Sequence, residues 1–384
     1  MVAKTLHGLE DILAEELRAL GAEDVVPGVR VVTFKGDKAL MYKSNLYLRT
    51  AIAVLLPIHS FKARDEHQLY KGVQQIDWST YLGLNETLAI HGVTSSDYFT
   101  HSQYAALKTK DAIVDQFRKN FGQRPSVDTF RPTLRINLHI RNDQCTLSLD
   151  SSGDPLFKRG YRNSRDEAPL NEVLAAGMIQ LSGWDKKSNF IDPMCGSGTL
   201  PIEATMMALD IPPCIRRDEF GFERWADFDA EIWDEIYSVA KRKGDKLPFH
   251  IIGSDVSQQT LRKARNNMRS APVGNNIKLA VKDMLDFSPP EGGGVVIMNP
   301  PYGERLEKED INGFYESIGD QLKKNFSGYD AWIISSNMEA LKHIGLRPSR
   351  KIQLFNGSLE CSFRKYELYS GSKKGKYMDQ NPSD

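Results

Sequence analysis

The chain has 384 residues, 40% hydrophobic and 26% charged, an ordinary globular composition at a length that fits two or three domains rather than one. Its 50 Lys and Arg balance 50 Asp and Glu, so no global basic charge advertises nucleic acid, although local basic patches remain open. Four scattered cysteines without a C-x-x-C pair argue against a zinc site or a disulfide framework and fit a reducing cytosol.

No basic stretch followed by an apolar core opens the sequence, so a secretory signal is not expected. The longest apolar run, Ala51 to Leu56, stops at Pro57 and is too short to span a bilayer. Neither membrane nor metal is expected as a partner. Leu9, Ile12, Leu13, Leu17 and Leu20 form a helical stripe closed by Gly21, followed by a strand over Val29 to Phe34. Residues 1–60 thus read as a small α/β piece. Residues 61–155 continue with mixed elements: a strand at Leu88 to Val93 and a helix at Ala105 to Phe121. Two strands, Thr133 to Ile140 and Cys145 to Leu149, face each other across Arg141 to Gln144.

After Ser151 to Pro155 the texture changes. Pro169 suits the first turn of a helix whose apolar face runs from Leu170 to Leu181. Strands at Asn189 to Ile191, Ile251 to Ile252, Leu279 to Val281, Val295 to Met298 and Trp332 to Ile334 then alternate with helices at Thr199 to Leu209, Ser257 to Arg269 and Ile311 to Phe326. This alternation predicts a parallel sheet with helices on both faces. Lys351 to Phe355 and Leu359 to Tyr369 flank Asn356-Gly357, a hairpin signal. The predicted fold is α/β over 156–370, a Rossmann-like parallel sheet with a terminal antiparallel hairpin. From 371 to 384 the sequence is polar and aperiodic, a disordered tail by composition.

Four strand ends carry polar residues. Asp192-Pro193-Met194-Cys195-Gly196-Ser197-Gly198-Thr199 joins a strand to a helix through glycines that permit a tight turn and close ligand approach. The third small residue of a dinucleotide fingerprint is missing, and the next strand-end acid, Asp255, lies far beyond the ~20 residues expected of one. No Lys-Ser/Thr follows, which excludes a phosphate loop. Asp255 with Val256 fits a ribose diol, with a helix cap as the alternative; Asp283 with Met284 fits an adenine amino group and ring, or a surface turn. Asn299-Pro300-Pro301-Tyr302 is a rigid hook offering an amide oxygen, a proline carbonyl and a flat aromatic face. Because ligands of open parallel sheets bind beyond the carboxyl ends of strands, these residues are expected to line one crevice.

In this order, the motifs resemble class I S-adenosylmethionine-dependent amino-methyltransferases. The resemblance implies that the glycine loop holds the methionine part of the cofactor, Asp255 the ribose and Asp283 the adenine. It implies that Asn299, Pro300 and Tyr302 orient the amine being methylated, and that S-adenosylhomocysteine (SAH) is the product. Leu156-Phe-Lys-Arg-Gly-Tyr-Arg162, Ala168-Pro-Leu170, Gly221-Phe-Glu-Arg-Trp225 and Gly303-Glu-Arg305 are similar to segments of RNA methyltransferases with an N-terminal ferredoxin-like piece and a THUMP domain. The likeness is strongest to the amino-terminal half of the bacterial large-subunit rRNA guanine-N2 enzymes. It implies a cytoplasmic enzyme acting on guanine N2 of 23S rRNA or a large-subunit precursor. Lys158, Arg159, Arg162 and Arg165, clustered around Tyr161 between the two inferred domains, are the candidate phosphate contacts to RNA. Such relatives continue into a second methyltransferase domain, and a second activity is not expected here. Adenine-N6 methylation of DNA or RNA uses the same hook, and a non-catalytic ribosome-assembly factor is the rival from another class.

Overall fold

The computed structural model describes residues 1–162, 170–240, 246–303 and 308–369, with 308–310 by backbone alone. They fall into two compact units. The first comprises Met1–Thr5, Leu13–Leu156 and Arg217–Val239; the second comprises Leu6–Ile12, Phe157–Arg216 and the chain from Ala240 onward.

The N-terminal chain runs β1 (Val2–Lys4), α1 (Glu10–Ala19), β2 (Glu23–Gly28), β3 (Val31–Lys35), α2 (Lys38–Tyr47), β4 (Ala53–Lys62), α3 (Glu66–Val73), β5 (Thr87–Ser95), α4 (Ser102–Phe121), β6 (Ser126–Val127), β7 (Leu134–Arg141) and β8 (Gln144–Asp150). Among the described residues its strands form one sheet in the order β2-β3-β1-β4-β8-β7-β5-β6. Strand β4 is the bridge: its first residues pair with β1 and nearly its whole length pairs with β8. A boundary drawn at residue 60 therefore falls inside a strand. Helices start where local chemistry says: Asp37 accepts the Leu40 amide at 2.8 Å and Asp65 the Gln68 amide at 2.8 Å, the first-turn donors that a helix cannot satisfy itself. Successive strand residues point to opposite faces. Leu134, Ile136, Leu138 and Ile140 of β7 are buried, whereas Arg135, Asn137, His139 and Arg141 take the other face.

The second unit follows the predicted alternation. It contains α5 (Glu172–Leu181), β9 (Asn189–Asp192) and α6 (Thr199–Ala208); α7 (Ala230–Ala240) intervenes before β10 (Ile251–Asp255), α8 (Gln258–Ser270), β11 (Ile277–Val281), β12 (Gly294–Met298), α9 (Lys308–Asn325), β13 (Tyr329–Ser335), β14 (Arg350–Asn356) and β15 (Leu359–Glu367). The order is β11-β10-β9-β12-β13-β15-β14. The first five strands are mutually parallel, and β15 runs antiparallel to both β13 and β14. This is the expected Rossmann-like parallel sheet with its terminal antiparallel hairpin. Two details differ from expectation. Helix α5 begins at Glu172, because Asn171 caps it by accepting the Val173 and Leu174 amides; Pro169 lies outside the described residues. In the hairpin Asn356 pairs with Leu359, so the loop is Gly357-Ser358, with a left-handed φ of 64° at Gly357. A positive φ at the first loop residue is the requirement of a type II′ turn.

The stretch from Arg217 to Val239 lies within the sequence of the second unit yet folds into the first. Arg217 donates to the carbonyls of Ser152, Asp154 and Pro155 at 2.9–3.1 Å. Phe222 stacks on Tyr42 with ring centroids 4.2 Å apart, and Trp233 stands edge-on to Phe222 at 5.2 Å.

Candidate active site

Strand order places the predicted residues along one edge of the second sheet. Asp192 ends β9 and Asp255 ends β10; Asp283 follows β11 and Asn299 follows β12. All four strands are parallel neighbours, so all four ends share the carboxyl edge. The chain leaves β9 toward β10 on one side and returns to β12 on the other. Asp192 and Asn299 thus flank the switch point at which open α/β sheets bind ligands.

The glycine loop is held by its neighbours. Gly198 caps α6 with φ 85°, and an ideal Cβ there would stand 3.2 Å from the Ala264 Cβ. Gly196 also has a positive φ, 53°, but an ideal Cβ there would meet nothing within 4 Å, so the backbone borders open space. The Cys195 amide donates to the Ser254 carbonyl at 2.8 Å, and the Ser254 hydroxyl to the Pro193 carbonyl at 3.3 Å. The Asn267 amide group donates to the Ser197 carbonyl at 3.0 Å. Burial, reinforced by the charges of Asp192 and Asp255, raises the Cys195 thiol far above its ordinary range, which leaves it no nucleophilic role.

Asp192 is 2% exposed and accepts the Met194 amide at 3.2 Å. Burial, and secondarily the neighbouring Asp255 charge, pushes its carboxyl up to about 8. At neutral pH the acid then holds its proton, and a cationic ligand beside it would favour the ionised form. Asp255 accepts the Gly196 amide through one oxygen at 3.1 Å and the Ser257 amide through the other at 2.9 Å. The cap of α8 is Ser257 itself, so the carboxylate ties the glycine loop to β10 and keeps lone pairs for a diol. Val256 beside it is 65% exposed. Asp283 accepts the Leu285 amide at 2.9 Å and starts a short 3-10 turn. Met284 departs from expectation: at 1% exposure it packs among Ile191, Val296 and Met298 in the core, so its side chain offers no face to a ring.

The hook is a hydrogen-bonded assembly. The Tyr302 hydroxyl donates to Asn299 Oδ1 at 2.6 Å, and Asn356 Nδ2 of the hairpin donates to the Tyr302 hydroxyl at 3.3 Å. Asn337 donates to the Tyr302 carbonyl at 3.1 Å. The Tyr315 hydroxyl, 2.8 Å from Ser335 Oγ, donates to the Pro301 carbonyl at 3.2 Å. Burial raises both phenols, Tyr315 to about 12 and Tyr302 further, so each stays a neutral donor. Pro300 is buried, and Tyr302 half-buried. One lone pair of the Asn299 oxygen is taken by Tyr302, which fixes the amide's orientation and leaves the other as an acceptor.

The basic cluster expected to touch RNA divides. Lys158 is exposed. Arg159 is 1% exposed and ion-paired to Glu203 at 3.4 Å, with the Tyr161 hydroxyl donating to the same oxygen at 3.2 Å. A phosphate could reach it only by breaking a buried pair, so Arg159 is structural. Arg162 donates to Glu172 at 2.8 Å, to Ser197 Oγ at 3.1 Å and to Thr199 Oγ1 at 3.0 Å. It braces the glycine loop instead of facing solvent. Arg165, Ala168, Glu304 and Arg305 lie outside the described residues, as does the tail. Sequence reasoning missed Asn267, Ser254, Asn337 and Asn356. Asn337 was findable, since it follows the end of β13; Asn267, inside a helix, carries no such signal.

Residues 159–365 match the RMKL-like methyltransferase domain, residues 63–150 the THUMP domain, and residues 1–55 the RlmL ferredoxin-like domain. A protein of Synechocystis described as a candidate RNA methyltransferase is 40% identical over 369 residues, 96% of each chain. A ribosomal RNA large subunit methyltransferase K/L of Syntrophotalea carbinolica is 40% identical over 374 residues, covering 94% of this chain and 52% of its own. The chain therefore spans about half of that relative. A candidate methyltransferase solved with SAH (SMU.472) shares 30% identity over 97% of this chain and 98% of its own, with a TM-score of 0.86. A predicted N6-adenine-specific DNA methylase from Listeria monocytogenes shares 29% over 96% and 95%, with a TM-score of 0.85. With that sheet, that carboxyl edge and these matches, the chain belongs to the RMKL-like methyltransferase-domain family.

Proposed function

We propose that this protein transfers a methyl group from S-adenosylmethionine to an exocyclic amine of RNA, guanine N2 of 23S rRNA. The observation that carries the reading is the fixed Asn299 amide at the switch point, beside three strand-end carboxylates. The residues fit the cofactor on three counts: open space at Gly196, the raised carboxyl of Asp192 that suits a cationic amino-acid end, and the spare lone pairs of Asp255 for a ribose diol. Asp283 is assigned to the adenine amine. When bound, S-adenosylmethionine supplies a methyl on a sulfonium, already a good leaving group.

The protein's part is alignment. An aromatic amine is a poor nucleophile because its lone pair is delocalised. Asn299 Oδ1 and the Pro300 carbonyl accept its two hydrogens, which favours a pyramidal nitrogen and stabilises the positive charge that develops on it. The proton leaves after transfer, so no strong general base is needed. The Tyr302 ring flanks the base, and a paired target must flip out to reach the hook. The THUMP match at 63–150 supports RNA as the substrate class.

Mapping of methylated nucleosides by mass spectrometry, on rRNA from cells with and without the gene, tests this reading. Loss of one N2-methylguanosine from 23S rRNA is expected. Unchanged rRNA with loss of N6-methyladenine from DNA would replace the reading with the one named for the Listeria protein.

A further inference from the structure

Two consecutive prolines give the hook an unusual backbone. Neither Pro300 nor Pro301 has an N–H to donate, so the chain there can be held only through its carbonyls. Two side chains hold it in that way. The Tyr315 hydroxyl donates to the Pro301 carbonyl at 3.2 Å, and Asn337 Nδ2 donates to the Tyr302 carbonyl at 3.1 Å. The carbonyl just before them, that of Pro300, accepts no hydrogen bond among the described residues.

Each hydrogen in this cluster has one destination. Tyr315 has a single hydroxyl hydrogen, and the Pro301 carbonyl, which can only accept, takes it. Ser335 Oγ, 2.8 Å from the same hydroxyl, must therefore donate to Tyr315. Ser335 Oγ in turn accepts the Asn337 backbone amide at 3.0 Å. Asn337 Oδ1 accepts the Ala340 amide at 2.9 Å, which turns its NH2 toward the hook. Tyr315 and Ser335 are fully buried, so water does not compete for these bonds. The Pro301 ring fixes its own φ at about −65°, so ψ of Pro301 is the one soft torsion between the held carbonyl and the open one.

We propose that Tyr315, Ser335 and Asn337 are positioning residues for methyl transfer. They hold the two peptides after Pro300 so that its open carbonyl stays aimed at the second hydrogen of the amine. This role rests on the hook being the amine site of the proposed function. No side-chain substitution can delete a backbone acceptor, so these residues are the means by which its contribution can be measured.

The other end of β13 supplies a matched comparison. The Tyr329 hydroxyl donates to the Pro290 carbonyl at 2.6 Å and accepts from Asn189 Nδ2 at 3.1 Å. Tyr329 is 2% exposed. It pairs with Gly294 at the start of β12, at the edge of the sheet opposite the hook. It is again a buried tyrosine on a proline carbonyl, but one that a substrate does not approach.

The test measures single-turnover transfer of labelled methyl to rRNA by the full chain and by Tyr315→Phe, Asn337→Asp and Tyr329→Phe. Tyr315→Phe lowers the rate about 10-fold. Asn337→Asp keeps the acceptor for Ala340, sets an oxygen against the Tyr302 carbonyl and loses at least as much; it also probes the second bond should Tyr315→Phe not fold. In both, the KM for RNA and the calorimetric Kd for S-adenosylmethionine stay within about 2-fold of the wild type. Tyr329→Phe lowers the melting temperature as much as Tyr315→Phe does, yet keeps its rate within about 2-fold. Equal rates for Tyr315→Phe and Tyr329→Phe, or losses that appear in KM or in cofactor Kd, overturn the proposal and leave guanine methylation by the wild type standing. The expected pattern on an adenine amine keeps the positioning roles and replaces the guanine target. A wild type that methylates no amine overturns both.

Discussion

Replacing Tyr302 with Phe separates two jobs that one side chain performs. The ring, and with it any stacking on a base, is kept; the hydroxyl that donates to Asn299 Oδ1 at 2.6 Å is lost. A neutral hydrogen bond contributes about 1 kcal/mol net, and a partner left unmade adds to that cost. Asn356, 3.3 Å from the hydroxyl, loses its acceptor at the same time. Folding stability should fall by about 1–2 kcal/mol. The larger effect is on transfer, because an unanchored amide can turn its NH2 toward the substrate and present a donor where an acceptor is needed. An orientation penalty of about 1.4–2.8 kcal/mol corresponds to a 10- to 100-fold lower single-turnover rate. Asn299→Ala should cost about 1,000-fold, with cofactor affinity retained. The decisive measurement is the double-mutant cycle on transfer of labelled methyl to rRNA. In the Asn299→Ala background, Tyr302→Phe should cost almost nothing more, because the hydroxyl acts only through Asn299. Equal losses in both backgrounds would refute this chain of influence. So would a raised KM for RNA at an unchanged rate.

Asp192 makes cofactor binding proton-linked. With its carboxyl at about 8, the ligand-free protein carries at pH 7 a proton that the unfolded chain has lost. Ligand-free stability therefore falls as pH rises from ~4 to ~8, and a cationic ligand should expel the proton. Calorimetry at pH 7 in buffers of different ionisation enthalpy should show proton release that Asp192→Asn abolishes. Gly196→Ala and Gly198→Ala both incur a left-handed penalty of about 1 kcal/mol. Gly198→Ala also crowds Ala264 and should lower the melting temperature more, while Gly196→Ala should chiefly weaken cofactor binding, since its Cβ would enter the open space. Asp255→Asn should raise the cofactor Kd about 10- to 100-fold in calorimetry; an unchanged Kd would remove it from the ribose role. Arg159→Met removes the cation paired with buried Glu203 and should destabilise by about 3–5 kcal/mol in denaturant unfolding, with RNA affinity of the folded fraction unchanged.

The second unit was legible because period and punctuation agree in it. Short apolar runs ending in Asp192, Asp255 and Asn299 became adjacent parallel strands, and the rule that ligands sit at carboxyl ends then collected the site. What stayed illegible was direction. Arg159 and Arg162 look alike in sequence, but one is drawn inward by Glu203 and the other by Ser197 and Thr199, partners tens of residues away. Tyr302 read as a flat face; its hydroxyl's commitment to Asn299 depends on a tyrosine rotamer and on a hairpin 54 residues further on. Helices α2 and α3 were missed because their stripes are short and their caps, Asp37 and Asp65, are ordinary loop acids until the following amides turn toward them.

The segment from Arg217 to Val239 has a consequence for how such a protein can be altered or inherited. A chain that enters the second unit, returns to the first and leaves again has no single cut that yields two self-sufficient pieces. Removing residues 1–150 would strip Tyr42 from Phe222 and leave that aromatic cluster bare. Truncation experiments would then report aggregation in place of domain function. A crossover between two relatives near residue 156 would likewise pair one parent's Tyr42 with the other parent's Phe222 and Trp233. Recombination must carry these separated stretches together, so the heritable module here is a set of segments rather than an interval.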